Sequence, residues 1–163
     1  MTSIAKSVTV ALFHQNTWAN LQLIDACAAL PAEQLDLTAP GTFGTIRHTL
    51  THLVANEEHY LSLLSGRPVE KPIQRGEILT LPELRARAEA AGAGLAREAA
   101  RVGMDDTVTQ EYQGQMMTIP AYIVLTQALQ HGAEHRGHIA TILSQHGITP
   151  PAIDGWAYGE TVG

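Results

Sequence analysis

Four long stretches of the chain place apolar residues three or four positions apart, and the segments between them are rich in Pro, Gly and Thr. That combination predicts packed amphipathic helices and little else. The spacing predicts a first helix over 4–30, marked by Val8, Leu12, Leu21 and Ile24 with Trp18 on its flank, Ser3 as a cap and Pro31 as the stop. A second helix opens near Thr45, repeats Ile46, Leu50, Leu53, Tyr60, Leu61 and Leu64, and stops at Gly66 and Pro68. Thr80, Pro82 and Glu83 spell a start signal for a third, Ala-rich helix that ends before Gly103. Gly92 and Gly94 inside it mean either close packing or a weak helix. The fourth helix is expected to take Thr118 as its cap, hold Pro120 in its first turn and end before Gly147; its first half is apolar on nearly every side, which predicts the most buried element. The connection over 66–79 is longer than the 2–8 residues or so that join antiparallel neighbours, so the second and third helices should not form a simple hairpin. Two β-like pieces, 108–112 and 115–119, flank Gln113-Gly114 and suggest a small hairpin before the last helix. The tail reads as a surface segment in which Ile153, Trp156 and Tyr158 could dock. The expected fold is an all-α four-helix bundle in a single domain, 1–163.

Composition narrows the function classes. With 45% hydrophobic residues a chain of 163 residues can fill one core without metal or disulfide. Its net charge is -6 and its ten Lys and Arg are scattered, which argues against nucleic acid as a partner. The one cysteine, Cys27, permits no internal disulfide and reads as a small core residue. The apolar run near the N-terminus is broken by His14, Gln15 and Asn16, too soon for a signal peptide or membrane span, and a cytoplasmic location is expected.

Histidine is the unusual residue, with eight against ten Lys and Arg together. His131, His135 and His138 stand at i, i+4 and i+7 of the fourth helix and form one narrow stripe. His135 points into the apolar face marked by Ala128, Ile139, Ile142 and Leu143, His131 sits at its edge, and His138 is outermost. An imidazole facing a core must be hydrogen-bonded, charged or metal-bound, because its nitrogens cannot stay dry and unpaired. The spacing alone leaves these alternatives open. A third ligand would come from another helix, where His52 is nearer the apolar stripe than His48 or His59; those two read as solvated, and His14 on the first helix as an edge residue. Glu57 and Glu58 are candidates to fix an imidazole tautomer, though a solvated helix face is expected for at least one of them. Arg136 is suited either to orienting an anionic group or to pairing with an acid on a neighbouring helix. The chain lacks HExxH, GxSxG, P-loop, GxGxxG and CxxC patterns, which excludes a zincin and leaves an organic nucleophile without support.

Three segments, and the tail from Pro150 to Asp154, resemble the DinB/YfiT-like proteins, and the resemblance spans nearly the whole chain. The run from Gln15 through Asn16, Trp18 and Asn20 to Leu21 is similar to that family's opening motif. The run from Gly41 to Leu53 is similar to its approach to the second helix, where the last histidine is a metal ligand, which carries that role to His52. Gln130 to Leu143 resembles the family's His-x-x-x-His-Arg-Gly-Gln signature, carrying the ligand role to His131 and His135. His138 stands where Gln is usual, and Thr51 where Asn often precedes the ligand. The resemblance implies a four-helix bundle of unusual connectivity, often a homodimer, with a three-histidine metal site. Zinc or nickel suits such ligands, and three imidazoles leave a coordination position open. On such an ion bound water falls in pKa toward about 7 and a thiol is deprotonated. The resemblance therefore suggests a metal-dependent enzyme, a thiol-dependent S-transferase using a low-molecular-weight thiol or a hydrolase, acting on a small-molecule substrate. The alternative is a non-catalytic, stress-associated metal-binding bundle.

Overall fold

The computed structural model describes the backbone of residues 3–163 and the side chains of 8–163, so the expected Ser3 side-chain cap lies outside the described residues. Four long helices dominate: α1 (Ser3–Ala28), α2 (Ile46–Ser65), α3 (Leu81–Arg101) and α4 (Ala121–Gln145). Local signals set most of their ends. Thr45 caps α2 by accepting from the His48 amide, and Gly66 ends it in the left-handed region at φ 68°. Thr80 and Glu83 form a reciprocal capping box at the start of α3.

The hairpin is present as β1 (Thr107–Tyr112) antiparallel to β2 (Gln115–Pro120). Gln113 at φ 51° and Gly114 at φ 78° form the two-residue turn whose positive φ angles match the twist of paired strands. Thr118 does not cap α4: it lies in β2, where its hydroxyl pairs with that of Thr109 at 3.1 Å, and Pro120 occupies the N-cap instead of the first turn. The strand pairing claims the residues that the cap signal had offered to the helix. The tail also differs from expectation, since 155–162 coil into α5 (Gly155–Val162), capped by Asp154. Tyr158 packs against Trp18 and Ile153 joins the core edge, but Trp156 is 88% exposed and docks on nothing described.

The unusual connection is the one from α1 to α2 and not the long link over 66–79, since α2 and α3, expected not to form a simple hairpin, do pack against each other. Both α1 and α2 pack against α3 and α4, so α1 and α2 face each other diagonally and the consecutive pair α1–α2 is not a hairpin. Arg87 of α3 ties the link down, gripping Glu58 of α2 through two hydrogen bonds (2.7 and 2.6 Å) and donating to the Lys71 carbonyl. The phase of α1 departs from the expected stripe: Val8 and Leu12 are exposed, and the buried face runs through Phe13, Asn16, Asn20, Leu23, Ile24 and Cys27. The first half of α4 is not buried all round either, since Ile123 lies open to solvent.

Two apolar clusters fill the bundle, one around Leu23, Leu50, Leu53, Leu84 and Ile142, the other around Phe13, Leu64, Leu95, Val124 and Leu125. Between them along α1, α2 and α4 comes a layer of buried polar residues, Asn16, Asn20, Glu57, His131, His135 and Arg136, which α3 meets with Ala91 and Gly92. Gly92 lets α3 approach α1 at this level, because a Cβ there would collide with the Thr17 side chain, and Gly94 does the same against Leu61. Close packing, not weakness, accounts for both glycines. Gly92→Ala is expected to lower stability by about 1–3 kcal/mol. Gly137→Ala, where an added methyl meets nothing within 4 Å, should be neutral or gain up to about 1 kcal/mol from helix propensity. Urea unfolding of the two variants checks the contrast.

Candidate metal centre

His131 and His135 rise from consecutive turns of α4, and His52 comes to meet them from α2 across the contact between the two helices. Nε2 of His131 lies 3.0 Å from Nε2 of His52 and 3.0 Å from Nε2 of His135. One ring nitrogen from each of the three falls within 4.8 Å of the others. His131 and His135 are buried and His52 half-buried. The three histidines singled out in the sequence are thus the three that the fold brings together.

An imidazole nitrogen has one in-plane position, filled by either a proton or a lone pair. Nε2 of His131 cannot serve two partners at 3.0 Å with one such position, whichever it holds. A single cation taking a lone pair from each ring satisfies all three at once, so the donor set fits a divalent ion preferring nitrogen. Electrostatics keep the lone pairs available. Burial, reinforced by the neighbouring imidazoles, lowers His131 and His135 to about 4, and burial together with His48 lowers His52.

The surroundings sort the remaining candidates. His138 sets its Nδ1 3.3 Å from Nδ1 of His135, so it supports that ring from the side away from the cluster. Asn56 donates to the His52 carbonyl at 2.8 Å and stands 3.2 Å from its Nδ1. Phe43, which the sequence reading passed over, covers the group: its ring centroid is 4.1 Å from that of His52 and 4.8 Å, edge-on, from that of His135. His48, His59 and His14 are exposed and stay outside the cluster. A cleft of about 470 Å³ opens beside His52, bounded by Arg47, His48, Thr51, Arg75 and Ile78. A larger one, about 900 Å³, runs between α2 and α3 and is lined by none of the three histidines.

Behind the imidazoles lies a closed polar cluster. Asn16 and Asn20 of α1 each donate to Oε1 of Glu57 (2.7 and 2.8 Å) and each accept from Nη1 of Arg136 (2.7 Å both). Arg136 is therefore spent on the interior, reaching an acid through two amides, and is not free to orient a ligand. Glu57 is fully buried, whereas Glu58 is taken by Arg87. Gly132 makes room for the cluster, since a Cβ there would fall 2.7 Å from Asn16 Oδ1. The sequence signal for this cluster is the pair Asn16 and Asn20, one turn apart on the face that turns inward.

The shifted groups set a pH dependence. Unfolded, the histidines protonate near 6.5, whereas folded His131 and His135 do so only near 4. Between these values the unfolded chain binds more protons, so stability falls as pH falls. Glu57, pushed up to about 7 by burial from an ordinary 4.5, acts in the opposite sense because there the folded state holds the extra proton. Two histidines outweigh one carboxyl below about 6.5. The urea midpoint of the metal-free protein is expected to drop steadily from pH 6.5 to 4.5; a midpoint that rose on acidification would contradict the assignment.

Fold and site together define a class: a four-helix bundle with a β-hairpin before its last long helix and three convergent imidazoles able to take one metal ion. The family model described as "DinB family" matches residues 1–161, and the chain belongs to that family. It is 22% identical over 153 residues to Protein DinB of Bacillus subtilis (strain 168), covering 88% of each chain. Its fold is similar to the crystal structure of a DinB-like protein from Bacillus cereus ATCC 10987, with a TM-score of 0.66 and 19% identity over 88% of this chain and 94% of that one. Among the described residues no helix is long and apolar enough to cross a membrane.

Proposed function

We propose that the chain acts as one metal-dependent enzyme domain, in which His52, His131 and His135 hold zinc or nickel and a small-molecule substrate enters by the cleft beside His52. The observation that carries this reading is the meeting of three imidazoles, with Nε2 of His131 3.0 Å from Nε2 of each of the other two, in a pocket that keeps the rings neutral. Three protein ligands leave a position free, the pattern of catalytic and not structural sites. A divalent ion there would lower the pKa of a water or a low-molecular-weight thiol enough to make it a nucleophile at neutral pH. The chain's own residues do the rest. His138 steadies the ring of His135 from behind, and Asn56 holds the backbone of His52 through its carbonyl. Phe43 shields one side of the imidazoles from water and leaves approach to the cleft side. At the cleft wall Arg47 pairs with Asp36, and Arg75 stands beside Glu77 as the cation that would meet a negative charge on a substrate or thiol. Thiol transfer to a small electrophile, or hydrolysis of an ester-like bond, is the reaction class this supports. A homodimer in the cytoplasm completes the proposal.

The test is a panel of thiol-transfer and hydrolysis assays with zinc- and nickel-loaded protein. Turnover that vanishes in His135→Ala while the circular dichroism spectrum is kept supports the enzyme reading. Bound metal without any turnover across the panel favours a passive metal-binding bundle.

A further inference from the structure

Among the described residues, two buried side-chain nitrogen or oxygen atoms have no hydrogen-bond partner: Nδ1 of His131 and Oε2 of Glu57. Unpaired buried polar atoms are uncommon and costly, and each asks for an explanation. These two complement each other. Nε2 of His131 is turned toward His52 and His135, and if it offers them a lone pair the ring's proton must sit on Nδ1, which then needs an acceptor. Glu57 has already used Oε1 for the amides of Asn16 and Asn20, and Oε2 is the acceptor it has left.

Their placement agrees from two directions. Tyr60, one turn beyond Glu57 on α2, stands edge-on to the ring of His131 at 5.8 Å between centroids. Asn16, held by Glu57 at 2.7 Å, lies against Gly132, the residue next to His131. His135 has His138 behind it, while His131, the middle ring, has no partner at Nδ1 in this structure.

We propose that Glu57 is the positioning residue for His131: its Oε2 accepts the hydrogen bond of the Nδ1–H across one bridging water, and so fixes the tautomer that points a lone pair from Nε2 into the site. This rests on the metal reading above. A carboxylate behind a ligating imidazole holds the ring's orientation and makes the ligating nitrogen more basic. It also gives Glu57 a task that balancing Arg136 alone would not.

Zinc itself is the probe. Competition against a chromophoric chelator should show Glu57→Gln binding zinc about 10- to 100-fold more weakly than wild type, the usual loss when an outer hydrogen-bond partner goes. Glu58→Gln, whose parent residue pairs with Arg87, should bind as wild type does. A second readout separates positioning from mere support of the fold. In zinc-loaded protein labelled with 15N-histidine, and assigned through His131→Gln, the His131 proton should sit on Nδ1 and exchange slowly with water, and the exchange should become fast in Glu57→Gln. Glu57→Gln that matches wild type in zinc affinity and keeps the slow exchange overturns the proposal and leaves the metal reading standing, whereas a His131 ring protonated at Nε2 overturns both, because that nitrogen then has no lone pair for the ion. Wild-type protein that takes up no zinc removes both. Should Glu57→Gln fail to fold, the wild-type spectrum alone decides.

Discussion

Alanine at His135 is expected to leave a folded bundle that no longer retains zinc or nickel. The side chain is almost fully buried, yet alanine is the better helix former and removes an imidazole that burial already disfavours as a cation, so the helix itself loses little. The site loses one of three ligands. Removal of an outer partner costs metal sites about 10- to 100-fold in affinity, and loss of a ligand should exceed that. Elemental mass spectrometry on protein purified without chelator or added metal should find near-stoichiometric metal in wild type and almost none in His52→Ala, His131→Ala or His135→Ala. His48→Ala is the control, since His48 is exposed and lies outside the cluster. Metal that survives in His135→Ala would remove the site as assigned.

The largest loss of stability should follow Arg136→Met. Arg136 is 8% exposed and Glu57 fully buried, and the two communicate through the amides of Asn16 and Asn20. Methionine fills most of the space but leaves a carboxyl group without its cation and two amide oxygens without a donor. Breaking a buried charge arrangement from one side costs about 3–5 kcal/mol, a large part of the 5–15 kcal/mol or so that holds a domain together. Replacing both ends, as Arg136→Met with Glu57→Gln, should recover part of the loss, and the cycle measured by urea unfolding gives the coupling. A single-variant loss under about 1 kcal/mol would mean that water reaches the cluster and screens it.

How much of this was legible beforehand depended on whether the signal was local. Thr80 with Glu83, Gly66 and the Gln113-Gly114 turn act through their own backbone, and each appears where the sequence placed it. Spacing along α4 put His131 and His135 on one face, but nothing in the spacing of α2 selected His52 strongly; the family resemblance did, and the fold sets it beside them. The misreadings were about partners far away in the chain. Val8 and Leu12 suggested a stripe for α1, whereas the inward face carries Asn16 and Asn20, polar residues that a hydrophobic pattern discounts and that only the charges on α2 and α4 make sense of. Thr118 looked like a cap because its competing use, a pairing with β1, lay across a turn. Phe43 could not be placed over the histidines from a loop with no period.

The buried polar layer also settles how α1, α2 and α4 align lengthwise. Leucine and alanine faces tolerate a shift of one turn, about 5.4 Å, because another leucine or alanine then arrives. Glu57, Arg136 and the two asparagines do not, for a slipped helix would bring a charge against the aliphatic clusters on either side. The same level of the bundle that gathers the imidazoles thus works as a key with one position, and a chain that folds with its helices in any other register has lost the site as well.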